Sequence, residues 1–362
     1  MIYLLFLLIL LILLYLERQQ PSCNNIYRVI IPSIYILLVG LRGANVGVDT
    51  PVYYDHYYTF GQWGCDFIEI GFDWLNRFFY HHGCSQAPFF VVCAAFAVIP
   101  VAAAVNQMLS RNEYTIFMIL FCTTTFASMC NGMRQNMACG ILFYLVFWYE
   151  RISSKTFYKT CIYVLGILFA SIFHASIFLV LPVIFLRHVK ISNNVYVVLY
   201  VLSFLLVFVN VSSYFPNIQI GDRDYGRYLG SEMTNQSASY YGFLITSTRN
   251  ALLLWLLIRN NLFSQYPLFA NLAFMMLLLT NLGYNIPIIG RVNMYFVFFY
   301  IYMLSIIIGE KDNVSHGCID IVKRVLIAFV IVLTIYGFIS PSNRLLPYNF
   351  CWENSQYMRY LP

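Results

Sequence analysis

Runs of apolar residues alternate with short polar segments along almost the whole chain. Most runs approach the roughly 20 residues that a helix needs to cross a bilayer, and they leave no soluble domain between them. The pattern therefore predicts an all-α, polytopic integral membrane protein with about twelve transmembrane or partly spanning helices. The predicted helices cover residues 1–16, 26–41, 88–108, 114–129, 136–149, 160–173, 175–186, 194–210, 241–258, 268–284, 292–308 and 325–339.

Residues 160–186 allow two interpretations. They form either one long tilted helix or two short helices that meet at the polar break around His174. The charge pattern favours two helices, because two passes bring Arg187 and Lys190 to the side on which the other lysines lie.

The composition agrees with membrane embedding: 60% of the residues are hydrophobic and only 10% are charged, against about a quarter charged in a soluble domain. We predict a single membrane-embedded domain over residues 1–362, with outer-face loops at 42–87 and 211–240. The ten cysteines show no metal-ligand spacing, and whether Cys65 and Cys84 form a disulfide stays open.

Lysine and arginine are distributed differently. With residues 160–186 taken as two passes, all five lysines face one side, which the positive-inside rule assigns to the cytoplasm. The opposite side has arginines and no lysine. These arginines are Arg42, Arg77, Arg134, Arg223, Arg227, Arg291, Arg344 and Arg359, with Arg249 set slightly into its span.

Interfacial anchoring by snorkelling explains Arg77, Arg344 and Arg359. Arg134, Arg249 and Arg291 stand at or inside the ends of apolar runs. There a charge costs about 2.5–3.5 kcal/mol and tends to mark a site. Arginine in place of lysine favours planar, bidentate recognition of an oxyanion such as phosphate.

A polar signature from Arg42 to Tyr53 follows the second apolar run. Its glycines permit a tight backbone path, and Asp49 with Thr50 is typical of a turn or helix cap. Residues 66–82 come next and predict an amphipathic helix in the membrane interface. Its Glu69, Asp73 and Arg77 recur every four residues beside an apolar face.

Four further polar segments are predicted on the same side as Arg42. They contain Arg134 and Gln135 in residues 131–136, His174 in residues 173–176, Arg223, Asp224 and Arg227 in the loop 211–239, and Arg291 and Tyr295 in residues 290–295. Polar groups at a membrane edge need partners, and a loop as long as 211–239 is uncommon without a function. These segments therefore predict a site assembled from distant parts of the chain.

Five short motifs stand in order along this helical chain: RGANVGVDTPVY, EIGFDWLN, NGMRQNMA, FHAS and RVNMYF. Together they resemble the EpsG/Wzy family of bacterial polysaccharide polymerases over nearly the full length. The resemblance implies a GT-C-like membrane glycosyltransferase in the bacterial inner membrane, with its site facing the periplasm. It implies undecaprenyl-diphosphate-linked oligosaccharides as donor and acceptor, no metal or cofactor, membrane lipids and a chain-length regulator as partners, and no nucleic acid.

Transfer from a diphosphate needs stabilisation of the leaving group and a positioned acceptor. We expect arginines to stabilise the leaving diphosphate. The first candidates are Arg42, Arg134, Arg227 and Arg291, followed by Arg223 and Arg249. Gln135, Tyr53 and Tyr295 complete the predicted substrate-binding residues. The base that deprotonates the acceptor is His174, Asp49 or Asp224, and we prefer His174 or Asp49 because both stand in the motifs. An inverting single displacement is expected, since no covalent nucleophile with a paired base is evident.

Three alternatives fit parts of the pattern. An O-antigen ligase shares the donor and passes the glycan to lipid A core. A lipid-linked oligosaccharide transporter or flippase exposes arginines too, although its ligands are expected near the bilayer midplane. A membrane O-acyltransferase would use His174 but leave the arginines unexplained.

Overall fold

The computed structural model describes residues 2–20, 24–153, 155–209, 219–220, 223–224, 240–284, 286–309 and 317–353. These residues are overwhelmingly helical, apart from one hairpin with the two-residue strands β1 (Gln219–Ile220) and β2 (Arg223–Asp224). The chain divides into two compact units. Unit 1 comprises Met1–Leu181 with Thr334–Pro362, and unit 2 comprises Pro182–Leu333.

Unit 1 is built around α5, the long apolar helix that packs against α2 and α8 and is buried along most of its length. Its helices are α1 (Ile2–Gln19), α2 (Asn24–Gly40), α3 (Thr50–Trp63), α4 (Ile70–His81), α5 (Gln86–Met108), α6 (Arg111–Thr124), α7 (Phe126–Asn131), α8 (Met133–Arg151) and α9 (Thr156–Ser171). A 3₁₀ segment, Ala175–His188, then continues into unit 2.

Basic residues gather at one end of the helices of unit 1. Arg28 pairs with Glu17 and donates to the carbonyl of Asn106, Arg111 donates to the carbonyl of Arg18, and Arg151 donates to that of Gln107. Lys159 donates to the carbonyl of Tyr149 in the last turn of α8. Helix α8 spans about 28 Å at 1.5 Å per residue, so this basic end lies one bilayer core away from Arg134 in its first turn.

The C-terminal segment of unit 1 is tied to the signature loop at the other end. The amide of Gly43 donates to the carbonyl of Asn349, the amide of Gly47 to that of Arg344, and the amide of Cys351 to that of Leu41. The first part of the predicted signature and the residue before it therefore lie against the last part of the described chain.

Unit 2 contains α10 (Asn193–Leu205), α11 (Tyr240–Arg259), α12 (Leu262–Gln265), α13 (Pro267–Leu282), α14 (Pro287–Asn293), α15 (Val297–Gly309) and most of α16 (Gly317–Ile339). Its centre is α13, which packs against α10, α11 and α15. Tyr196 joins α10 to α13 by donating to Oδ1 of Asn271 at 2.7 Å.

Among the described residues, five helices are long and apolar enough to cross a membrane, and other apolar helices are shorter. The five are Ile2–Gln19, Gln86–Met108, Tyr240–Arg259, Ile289–Gly309 and Ile319–Ile339. This agrees with the predicted polytopic helical protein, while the number of spans and the GT-C-like architecture stay predictions.

Several predicted boundaries are corrected. The helix expected at 114–129 is interrupted at Thr125, whose hydroxyl donates to the carbonyl of Phe121 at 2.6 Å and contacts the hydroxyl of Tyr35 at 2.8 Å. Such side-chain to backbone bonds compete with helix geometry. The run 292–308 is likewise divided between α14, a short 3₁₀ turn and α15.

Residues 160–186 do form two helices. Helix α9 ends at Ser171 and the 3₁₀ segment begins at Ala175, as the charge pattern favoured. The amphipathic helix is present as α4, with Ile70, Trp74 and Phe78 exposed on one side. Cys65 and Cys84 are both free thiols.

Candidate active site

The side chains of Glu69, Arg134 and His174 meet at the end of unit 1 opposite its basic end. Oε2 of Glu69 accepts a hydrogen bond from Nη1 of Arg134 at 2.5 Å. Oε1 lies 3.2 Å from Nδ1 of His174 and accepts the backbone N–H of Ala175 at 3.2 Å. One carboxylate thus connects three motifs that are far apart in sequence.

A close backbone contact holds this carboxylate in place. The amide of Gly71 donates to the carbonyl of Ile172 at 2.8 Å, next to the break before His174. A Cβ at Gly71 would stand 2.9 Å from that carbonyl oxygen and 2.8 Å from Cγ1 of Ile172. Glycine here lets the start of α4 approach the end of α9 closely enough for Glu69 to reach His174.

Glu69 is ionised over the ordinary pH range. Burial by itself raises its pKa, but the hydrogen bond with His174 and the charge of Arg134 outweigh burial and lower the pKa from 4.5 to about 2. The cluster is therefore anchored by a carboxylate whose side chain is only 10% exposed. The side chains of Arg134 and His174 are more accessible, at 28% and 21% exposed.

The signature loop joins the same end through Asn131. Oδ1 of Asn131 accepts the backbone N–H of Val48 at 2.7 Å and that of Asp49 at 3.3 Å. Gly47 has φ +96°, and a Cβ there would stand 2.8 Å from the same oxygen. The turn between α7 and α8, which orients Arg134, is therefore hydrogen-bonded to the signature segment.

Arg42 is fully buried. Its guanidinium donates to Oγ1 of Thr50 at 3.0 Å and to the carbonyls of Val39 at 2.6 Å and Cys130 at 3.4 Å, and it lies 4.8 Å from the ring centre of Phe90. These partners are uncharged, and they join α2, the signature loop and α7. In this arrangement Arg42 holds the loop and does not line an accessible surface.

Tyr53 and His56 extend the cluster from α3. Burial raises the pKa of Tyr53, the charge of Arg134 opposes that rise and the charge of Asp49 adds to it. Burial lowers the pKa of His56, and Arg134 lowers it further. Both side chains thus lie within the electrostatic field of Arg134. Asp49 is exposed and is the N-cap residue of α3, as predicted, but its side chain makes no capping hydrogen bond.

Gln135 is buried in the first turn of α8, beside Arg134 in sequence. Its neighbour Asn136 donates to the carbonyls of Ser128 at 2.7 Å and Gly132 at 2.9 Å. These bonds stabilise the break between α7 and α8. The polar segment 131–136 therefore finds the partners that its position at a membrane edge demands.

Arg249 of unit 2 has a polar and an aromatic partner. Nε and Nη2 of Arg249 both donate to Oδ1 of Asn250, at 3.2 and 2.9 Å, and its Cζ lies 5.1 Å from the ring centre of Tyr300. Arg249 is midway along α11. Tyr295 is fully buried, whereas Arg291 is exposed.

Three predicted residues fall in the loop 211–239. Arg223 and Asp224 form the strand β2, paired with Ile220 and Gln219. Arg227 lies outside the described residues, so its role stays a prediction. Within the described ranges, no group of three or more His, Cys, Asp or Glu side chains is placed to hold a metal ion.

Comparison with known families adds one finding. The model of the EpsG family matches residues 25–350, which is most of the chain and includes every motif described above. The chain belongs to the EpsG family. No curated protein and no solved structure matches it.

Membership of the EpsG family indicates a multi-pass membrane protein of the polysaccharide-polymerase type. It confirms the family that the five motifs suggested. Four of those motifs supply the residues that unit 1 brings together, while the fifth, residues 291–296, belongs to unit 2.

Sequence reasoning missed Glu69 as a residue of the cluster with Arg134 and His174. Its four-residue spacing with Asp73 and Arg77 placed it on the polar side of an interfacial helix. In the structure it precedes α4 as the N-cap residue and turns toward Arg134 and His174. Its presence in the motif EIGFDWLN was the available signal. Helix α3 was also missed, because its many tyrosines give no clear apolar face.

Proposed function

We propose that this EpsG-family chain is a membrane glycosyltransferase that polymerises undecaprenyl-diphosphate-linked oligosaccharide repeat units. The observation that carries the proposal is the shared contact of Arg134 and His174 with Glu69. The carboxylate of Glu69 thereby holds two groups next to each other. One is a guanidinium that can bind phosphate, and the other is an imidazole that can take a proton. Glycosyl transfer from a diphosphate requires these two functions side by side.

In the proposed reaction, the acceptor hydroxyl oxygen attacks the anomeric carbon of the donor as the bond from that carbon to the diphosphate oxygen breaks. His174 takes the hydroxyl proton. Arg134 stabilises the charge that develops on the departing diphosphate. A single displacement inverts the anomeric configuration, and arginine supplies positive charge without a metal. Product linkages that retain the donor configuration would contradict this step.

The other predicted residues take different parts in this proposal. The charges of Arg134 and Asp49 both act on Tyr53, and Tyr53 and Asp49 are candidates for contacts with the sugar. Arg42 positions the signature loop from its buried site. Arg249 and Tyr295 of unit 2, with Arg223, Asp224, Arg227, Arg291 and Gln135, stay predicted substrate-binding or catalytic residues.

The charge distribution supports an orientation. The basic end of unit 1 carries Arg28, Arg111, Arg151 and Lys159, and basic ends of membrane helices face the cytoplasm. The cluster around Glu69 then faces the periplasm of the bacterial inner membrane. We propose membrane lipids and a chain-length regulator as further partners.

The test is to supply the purified protein in detergent with a lipid-linked repeat unit. A ladder of products that requires His174 and Arg134 supports the polymerase. Transfer of one glycan to lipid A core would indicate a ligase instead. Movement of the intact lipid across the membrane of vesicles, without any polymerised product, would indicate a transporter. The observation that favours a transporter is the position of Arg249 midway along α11, because transporters bind their substrates near the bilayer midplane.

A further inference from the structure

Glu69 uses both of its carboxylate oxygens on residues of the site. Oε2 accepts from Arg134, and Oε1 faces Nδ1 of His174 and accepts the amide of Ala175. An ionised carboxylate only accepts hydrogen bonds. A nitrogen lone pair 3.2 Å from an ionised carboxylate oxygen is electrostatically unfavourable, so this contact favours a proton on Nδ1.

This contact has a consequence for the imidazole. In a neutral histidine one ring nitrogen donates and the other accepts. If Nδ1 carries the proton that faces Glu69, Nε2 is left as the nitrogen that can take a proton from an acceptor hydroxyl. A carboxylate that holds a catalytic histidine in this way selects its tautomer and stabilises the protonated form.

Arg134 holds the other oxygen of the same carboxylate. The other titratable groups around the guanidinium are Tyr53 and His56 on α3, with Asp49 acting on Tyr53. From α5, the neighbour of the break is the apolar ring of Phe96, which lies 5.1 Å from that of Phe173.

We propose that Glu69 is a positioning residue that makes Nε2 of His174 the base. Glu69 itself touches neither sugar nor diphosphate. This assignment rests on the proposed function for the identity of the base. The geometry it requires can be measured without any turnover.

The experiment uses full-length protein labelled with ¹⁵N at its histidines, which number six, in detergent or nanodiscs. A His174→Gln variant assigns the resonances of His174. In the wild type we expect the tautomer with the proton on Nδ1. In Glu69→Gln we expect that preference to be lost, because a neutral amide can present either its oxygen or its NH₂ group to Nδ1.

Arg134→Met should keep the proton of His174 on Nδ1, because the carboxylate of Glu69 that faces this nitrogen remains. Asp73→Asn removes a carboxylate one turn further along α4, where it pairs with Arg77 at 3.9 Å, and should leave the tautomer of His174 unchanged. A merely structural role for Glu69 does not select the tautomer of His174.

Two results would overturn the proposal. One is a wild-type His174 that carries its proton on Nε2, and the other is a folded Glu69→Gln variant that keeps the wild-type tautomer. If Glu69→Gln does not fold, the wild-type tautomer still decides. A ladder of products from a wild type with the proton on Nε2 rejects this inference alone. A proton on Nδ1 that depends on Glu69, without any product, rejects the proposed function alone.

Discussion

Two arginines of the same motif-rich end have opposite surroundings. Arg42 is enclosed by Thr50, backbone carbonyls and Phe90, whereas Arg134 is partly exposed and pairs with Glu69. The sequence alone gave both the same role. Burial separates a residue that holds the fold from one that can meet a ligand.

The same conservative substitution should therefore have different effects at the two positions. Arg134→Lys keeps the charge but loses the planar fork, and polymerisation should fall about 10- to 100-fold, as expected for a lost charge-assisted hydrogen bond. Arg42→Lys should lower the melting temperature instead, because a lysine cannot reach three acceptors on three sides. Ladder assays and thermal melts on both variants separate the effects, with Arg151→Lys at the opposite end of α8 as control. Full activity in Arg134→Lys would contradict its role at the diphosphate.

The ionisation of Glu69 predicts a pH dependence of stability. Its pKa is lowered from 4.5 to about 2 in the folded protein, so its contribution is fully present above about pH 4.5 and is lost as the pH falls toward 2. At pH 6 the melting temperature of the wild type should therefore be higher than that of Glu69→Gln. This difference in melting temperature should shrink as the pH falls below 4.5. A difference in melting temperature that stays constant down to pH 3 would show that the partners of Glu69 do not lower its pKa. Asp73→Asn serves as control.

At the level of elements, the site depends on how closely α4 approaches the end of α9. Gly71→Ala places a methyl group against the carbonyl of Ile172, and overpacking of this kind costs about 1–3 kcal/mol. We expect a lower melting temperature and a loss of polymerisation, because α4 must move and carry Glu69 away from His174. Gly337→Ala meets nothing within 4 Å and should have neither effect. A fully active Gly71→Ala would show that the close contact does not position the site.

Helix α4 also presents an exposed apolar face. Ile70 is 76% exposed and Trp74 63% exposed, beside a polar side with Asp73 and Arg77 in contact. Such a face is typical of a helix that lies in the membrane interface. In a variant that retains Trp74 as its one tryptophan, lipids brominated near the glycerol should quench its fluorescence more than lipids brominated near the chain ends. Stronger quenching by the deeper bromines, or none, would contradict interfacial placement.

At the level of the molecule, the orientation rests on the separation of basic residues from the cluster around Glu69 within unit 1. An impermeant amine reagent applied to sealed right-side-out vesicles should leave the exposed Lys155 unmodified and should modify a lysine introduced as His82→Lys. Inside-out vesicles should give the reverse pattern by mass spectrometry. Modification of Lys155 from outside would invert the topology and remove the site from the periplasm.

The sequence by itself determined the class of this protein and most of its helices. Apolar run length, the lysine and arginine asymmetry and the spacing of residues 66–82 are local properties, and each predicts a helix or a side of the membrane without knowledge of neighbours. The five motifs also identified the family correctly. Single-domain organisation and the roles of unit 2 residues stay predictions.

Only the tertiary structure decided which of these residues meet. Glu69 was assigned to the polar side of an interfacial helix until the contact between Gly71 and Ile172 brought it to His174. Arg42 was expected to face substrate until the packing of α2, the signature loop and α7 enclosed it. Both outcomes depend on side chains separated by about a hundred residues, and local patterns carry no information about such pairings. Hydrogen bonds and packing contacts between distant segments therefore bring the polar motifs together in one cluster.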